Sequence, residues 1–350
     1  YRVHPDEIGV GVLATAQVMA HQVDCRAPAP CHDGQRTGLD GEDVQVLFVM
    51  LEVLAQDIAC YAAKDMGRNQ VHVHGTDNER SRRMQQELSW VADINKEEDD
   101  NRFSLYLQSI ENIQSEQDSS MYEVLLRLND DDGTTIAPGS FLAAAERFSL
   151  MKDVDYWVIR QAFKHLANLY KNVPQSDVHL FINISANSLT NHDFCDFVVE
   201  QYKKYNISHN MICLEIAESK AVKNLTQTAD VISRLRKHNI KFALDDFGAG
   251  IPSFSYLKNL PVDYLKIDGN IIKNISQNTT DKAMVAAINQ IGKVMHIETI
   301  AKHVENVFTL NQLKEIGIDY AQGFYLDKPG KLTDRVEEIK QSTKKQSIRH

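Results

Sequence analysis

The sequence predicts an α/β protein whose larger part is a closed (β/α)8 barrel, with a smaller piece in front of it. Three observations carry this. The chain has 350 residues, enough for one barrel and a further module. From Phe103 onward, short apolar runs alternate with helical stretches across roughly 230 residues, which by size and strand count favours a barrel over an open sheet. The alternative is an open, Rossmann-like sheet. It loses support because no G-x-G-x-x-G follows a strand and no G-x-x-x-x-G-K-[ST] occurs.

Taken in order, residues 20–43 carry Pro28, Pro30, Gly34, Gly38 and Gly41 among polar residues and read as an extended loop. A helical pattern over Asp57 to Met66 stops at Gly67, and Gln70 to His74 alternates like a strand. Residues 77–96 set Met84, Leu88 and Val91 on one stripe, the pattern of a linker helix, ended by the acid run Glu97 to Asp100. Strands are expected at Leu105 to Ile110, Tyr122 to Leu128, Val178 to Ile184, Met211 to Ile216, Ile240 to Leu244, Tyr264 to Ile267, Ile297 to Ala301 and Tyr320 to Leu326. Between most of them fall helical stretches at Val154 to Tyr170, Asp193 to Tyr205, Leu225 to His238, Asp281 to His296 and Val307 to Ile316. The expected divisions are a first region at 1–75, a linker helix at 76–101, the barrel at 102–335 and a solvated basic tail at 336–350.

Composition narrows the partners. A formal net charge of −10, from 48 acids against 38 Lys and Arg, gives no general attraction for nucleic acid or an anionic membrane. The longest apolar stretch, Val44 to Leu54, contains Gln45 and Glu52 and is too short to span a bilayer. Five cysteines without a CxxC pair fit a reducing cytoplasm. The chain opens on Tyr1 with no leader-like segment, which reads as cytoplasmic and as a fragment of something longer, with an upstream sensor or a membrane anchor both open.

In a barrel, chemistry gathers at the C-terminal ends of the strands. Asp245 and Asp246 end one apolar run beside the turn Phe247-Gly-Ala-Gly250, and two adjacent acids there require a cation. Glu123, Asn183, Glu215 and Glu218 lie in or at the ends of neighbouring strands. Carboxylates and an amide oxygen without histidine or thiolate form a hard cage suited to Mg²⁺ or Mn²⁺ and disfavour zinc. Each residue alone has a plainer reading: a helix cap or surface charge for an acid, pairing with Asp268 or Asp245 for Lys266, and backbone hydrogen bonds near Gly323 for Gln322. Their coincidence on successive strands favours a metal site.

These motifs resemble the GGDEF–EAL tandem proteins of bacterial cyclic-di-GMP signalling. Tyr122-Glu-Val-Leu-Leu-Arg127 is similar to the EAL signature, with Val124 for the usual Ala. Asn183-Ile-Ser185, Leu214-Glu-Ile-Ala-Glu-Ser219, Leu244-Asp-Asp-Phe-Gly-Ala-Gly250, Leu265-Lys-Ile-Asp268 and Gln322-Gly-Phe324 follow in order and spacing. The resemblance implies an EAL-type barrel that binds cyclic di-GMP and hydrolyses one phosphodiester to linear pGpG with two Mg²⁺ or Mn²⁺ ions, acting as a homodimer through the EAL domain. By position, Glu123, Asn183, Glu215 and Asp245 would hold one metal, and Asp245 with Asp246 the other. Lys266, Glu218 and Glu305 would be catalytic, with Lys266 orienting or assisting the attacking water and Glu218 bracing a loop. Arg127, Gln322 and Asp268 would contact substrate. Active relatives carry Ala-Glu-x-Val-Glu where this chain has Ala301-Lys-His-Val-Glu305, so Lys302 stands at an acidic ligand position. An ammonium cannot ligate Mg²⁺, and weak hydrolysis, or a receptor that binds without cutting, is the implied consequence. Residues 1–75 resemble a truncated, degenerate GGDEF domain on the match Ala59 to Asn69. His4-Pro-Asp-Glu-Ile8 has lost both turn glycines, and cyclase activity is not expected.

Overall fold

The structure is a computed structural model that describes residues 103–115, 120–129, 135–136, 138–174, 177–207, 211–250 and 254–348. The expected first region and linker helix, and with them the loop at 20–43 and three of the five cysteines, lie outside the described residues.

Ten strands are described: β1 (Phe103–Asn112), β2 (Met121–Asn129), β3 (Thr135–Ile136), β4 (His179–Asn183), β5 (Ile212–Ala217), β6 (Lys241–Phe247), β7 (Tyr264–Ile267), β8 (Glu298–Ala301), β9 (Tyr320–Ala321) and β10 (Gly330–Lys331). Around them lie helices α1 (Pro138–Arg147), α2 (Met151–Asn172), α3 (Ala186–Leu189), α4 (Phe194–Lys204), α5 (Glu218–Lys223), α6 (Leu225–Arg236), α7 (Gly269–Asn274), α8 (Thr279–Met295), α9 (Val307–Ile316) and α10 (Leu332–Ile348). Hydrogen-bonded neighbours run β1–β2–β4–β5–β6–β7–β8–β9 and back to β1, so the ring closes with eight strands. β3 and β10 are short additions to its rim.

The ring is not built wholly from βα units. β1 pairs antiparallel with both β2 and β9, while β2 and β4 to β9 are parallel. Only a short connection separates β1 from β2, and such a link joins antiparallel strands without a crossover helix. Two expectations at the chain's later end also change. The run Tyr320 to Leu326 is a strand only at Tyr320–Ala321, because the chain turns at Gly323, whose carbonyl accepts from Leu326 N and Asp327 N at 3.0 Å each. The boundary expected between barrel and tail falls inside α10, which begins at Leu332.

The helices bury one stripe each. In α2 the buried residues Val154, Val158, Ile159, Ala162, Phe163, Leu166 and Leu169 recur at helical spacing and pack on the outside of the ring, with Asp155 the single charged member. Inside the ring, Ile110, Met121, Phe181, Cys213, Ala243, Tyr264 and Ile300 form a separate apolar cluster, closed by Tyr320. Each of the eight comes from a different strand of the ring. They plug the barrel, and strand alternation then fixes what stands one layer above them. Among the described residues no helix is long and apolar enough to cross a membrane.

Candidate active site

The next inward-facing position lies two residues along each strand, and backwards along antiparallel β1. Starting from the apolar plug, this step gives Gln108, Glu123, Asn183, Glu215, Asp245, Lys266, Lys302 and Gln322. Eight polar residues thus make one layer. Seven of them are residues that the sequence singles out. The eighth, Gln108, is not, although it sits directly opposite Glu123 in the β1–β2 register. The alternation Gln108, Ile110 in β1 would have found it, had β1 been placed antiparallel in the ring.

Two ammonium groups organise the layer. Lys266 is fully buried and donates to Glu123 Oε2 at 2.8 Å and to Glu215 Oε1 at 2.5 Å. Lys302 donates to both oxygens of Asp245, at 2.8 and 2.9 Å, and to Asp246 Oδ1 at 2.7 Å. Asn183 Nδ2 donates to Glu123 Oε1 at 2.8 Å, and Gln322 Nε2 to Glu123 Oε2 at 2.8 Å and Gln108 Oε1 at 3.1 Å. Both adjacent aspartates reach the same lysine because β6 carries an irregularity between Leu244 and Phe247 and Asp246 adopts φ 52°. Strict alternation would turn Asp246 away from Asp245; the bulge brings it back.

Charge is unevenly shared. Burial alone would raise the Glu123 pKa, but the Lys266 charge, hydrogen bonds from Lys266 and Gln322, and the Lys302 charge hold it at about 2. Glu215 moves the other way, to about 8, because burial and the charges of Glu123 and Asp245 outweigh its share of Lys266. Burial opposes the charge on Lys266 too, yet Glu123, Glu215 and Asp245 together raise its pKa and keep it an ammonium. Lys302 is raised likewise, against burial, chiefly by Asp245.

The other expected site residues fall in three places. Glu218 opens α5, accepts from Gly248 N at 3.0 Å and from the Tyr256 hydroxyl, and so ties down the turn after β6. Asp268 caps α7, accepting from Asn270 N at 2.8 Å, the plainer of the readings open to a strand-end acid. Arg127 lies over the Tyr106 ring at 5.5 Å and donates to Leu126 O. Glu305 is not brought to the cluster. It is exposed and faces Lys273 at 3.4 Å, because the chain turns at His303, whose φ is 57°, directly after Lys302.

Among the described residues no group of three or more His, Cys, Asp or Glu side chains stands ready to hold a metal ion. The donor chemistry nonetheless fits one hard cation. Glu215 Oε2 is buried with no partner, beside Glu123, Asn183 and Asp245, all of them oxygen donors. The second expected site does not fit, since both of its ligands, Asp245 and Asp246, are held by Lys302; the first site depends on Lys302 for Asp245 alone and gains that ligand only as Lys302 releases one of its oxygens.

Residues 91–329 match the EAL domain family. The chain is 35% identical over 350 residues to the cyclic di-GMP phosphodiesterase PdeB of Shewanella oneidensis, a match covering 97% of this chain and 41% of that protein. It is 34% identical over 240 residues to the cyclic di-GMP phosphodiesterase PdeF of Escherichia coli, covering 68% of this chain and 31% of that protein. The chain therefore spans less than half the length of these relatives. The fold is similar to the FimX EAL domain of Pseudomonas aeruginosa bound to c-di-GMP, with a TM-score of 0.62 and 26% identity over 72% of this chain and 97% of that one. A PaMucR phosphodiesterase in a c-di-GMP complex gives a TM-score of 0.64 and 26% identity, over 70% of this chain and 97% of that one. The matched span contains the whole ring from β1 to β9 and the polar layer inside it, and the chain belongs to the EAL domain family.

Proposed function

We propose that this chain binds cyclic di-GMP over the polar layer and hydrolyses one phosphodiester to linear pGpG, slowly, with Mg²⁺ or Mn²⁺ at a single site made by Glu123, Asn183, Glu215 and Asp245. The observation that carries the reading is the layer itself: eight inward polar residues, oxygen-rich, above an apolar plug. A bound cation there would polarise a phosphate oxygen and lower the pKa of a coordinated water. Glu215 would offer a cation the oxygen that has no protein partner, and because burial and the nearby carboxylates raise its pKa, binding there would be coupled to loss of a proton. Lys266 keeps Glu123 and Glu215 apart in orientation, and Glu218 holds the turn beside Asp246. Arg127 reaches phosphate by leaving its contact with Leu126 O.

Lys302 supports a second reading, a receptor that binds the dinucleotide without cutting it. Its ammonium pairs with both Asp245 and Asp246, offsetting one of their two charges, but cannot bind a water nucleophile or a phosphate oxygen as a metal ligand. Turnover and calorimetric binding of cyclic di-GMP, compared in the native chain and in Lys302→Glu with Mn²⁺, separate the two. Slow native turnover that rises at least about tenfold in the variant supports the enzyme. Binding without turnover in the native chain and turnover only in the variant identifies a receptor. No binding by either chain removes both.

Three further features belong to the same proposal and rest on the motif resemblance: a homodimer through the EAL domain, a cytoplasmic setting, and residues 1–75 as a GGDEF remnant without cyclase activity. Sedimentation of the purified chain tests the first.

A further inference from the structure

A chain of hydrogen bonds runs out of the polar layer to the C-terminal helix. Gln322 Nε2 donates to Glu123 Oε2 at 2.8 Å and to Gln108 Oε1 at 3.1 Å. Gln108 Nε2 donates in turn to the carbonyl of Asp327 at 2.9 Å. The Asp327 side chain is clamped from both sides: Oδ2 accepts from Ser109 N at 3.0 Å, and Oδ1 accepts from Arg335 Nη2. Arg335, on α10, also donates to Lys328 O at 2.9 Å and to Glu338 Oε2 at 3.0 Å. Gly330 lets the guanidinium lie flat against the chain, since a β carbon there would stand 2.8 Å from Arg335 Nε.

The order of donors and acceptors is forced. A carbonyl can only accept, so Asp327 requires the nitrogen of Gln108 to face it. Gln108 then presents its oxygen to Gln322, and Gln322 must answer with its nitrogen. Its own oxygen is left over. Gln322 Oε1 is buried and has no partner, on a residue only 4% exposed. An acceptor held in that way calls for a hydrogen-bond donor, and Glu215 Oε2 is unpartnered within the same layer. Were the Asp327 carbonyl to move, the Gln108 amide could turn over, and only Glu123 Oε2, which accepts from the same Gln322 nitrogen, would still hold the Gln322 amide.

We propose that Arg335 and Asp327 are positioning residues that, through Gln108, brace the Gln322 amide against Glu123, so that α10 tunes how firmly the polar layer holds a cation. The proposal deepens the reading given above and rests on its cation site, though not on hydrolysis or on cyclic di-GMP.

The test measures Mn²⁺ affinity by electron paramagnetic resonance, and cyclic-di-GMP affinity by calorimetry, on the full 350-residue chain. Arg335→Ala and the conservative Arg335→Lys are compared in the native background and in a Gln322→Ala background, each with a thermal melt. Arg335→Ala is expected to weaken Mn²⁺ binding by roughly tenfold in the native background, with Arg335→Lys recovering most of the loss. In the Gln322→Ala background the same change should have no further effect on Mn²⁺, while lowering the melting temperature equally in both. If Arg335→Ala does not fold, Arg335→Gln takes its place. Equal losses of Mn²⁺ affinity in the two backgrounds would mean Arg335 acts only on stability, and the relay falls. No loss in the native background, or no Mn²⁺ binding by the native chain, also overturns it. Mn²⁺ binding without any cyclic-di-GMP binding would instead sink the proposed function and leave the relay to be decided by the Mn²⁺ series.

Discussion

Asp155 shows how much one buried charge can cost outside the site. It lies on the core-facing stripe of α2, and its Oδ2 accepts from Ser185 N at 2.8 Å and Ser188 Oγ at 2.7 Å. Burial raises its pKa from 3.8 to about 6 despite those bonds. A carboxyl raised in the folded state contributes stability that is complete below the unfolded value and is lost as pH rises through about 6. Asp155→Asn keeps an oxygen for both donors and removes the charge. It should therefore exceed the native chain in stability by up to about 3 kcal/mol near pH 8, with the gap closing toward pH 4. Urea denaturation at several pH values measures this, and a gap that does not change with pH would refute it. Lys302 is the same lesson inside the site. Its place in the sequence marks it as a departure, and its three hydrogen bonds show which carboxylates it engages.

At the scale of elements, strand periodicity does most of the placing and caps fix the helix starts. The helix expected from Asp281 begins two residues earlier, at Thr279, because Asn278 accepts from Thr280 N at 2.9 Å and Asp281 N at 3.4 Å. Asn278→Ala should cost about 1 kcal/mol, and Asn278→Gly much less, in chemical denaturation. Equal costs for the two would show that the side-chain cap contributes nothing. The β6 strand runs past Leu244 to Phe247, taking the aspartate pair into the sheet, where a local run of apolar residues had given no sign that pairing would continue. β9 errs in the opposite sense, since Phe324 and Leu326 look like strand residues yet belong to a turn fixed by Gly323.

At the scale of the molecule, the apolar plug and the polar layer above it are one construction. Phe181 meets Tyr264 edge to face at 5.1 Å, and Tyr264 meets Tyr320 at 6.3 Å, so aromatic rings from three strands fill the barrel below the carboxylates. Phe181→Ala should cost about 3–5 kcal/mol by leaving a void there. It should also weaken Mn²⁺ binding, because Glu123 and Asn183 would lose the surface beneath them. A cost under about 1 kcal/mol would show that the plug relaxes to fill the space.

The sequence by itself determined the barrel, most of its strands and seven of the eight residues in the polar layer. It could do so because apolar runs, their spacing and acids at strand ends are local patterns. It did not contain Gln108, whose role depends on a strand being antiparallel, nor the exclusion of Glu305, which follows from a left-handed turn at His303. The tertiary structure alone decided how two lysines are divided among four carboxylates, which glutamate is pushed up in pKa and which down, and how Arg335 connects to Gln322. Those outcomes depend on burial and on contacts between residues as many as 219 positions apart, and they exist only once the ring has closed.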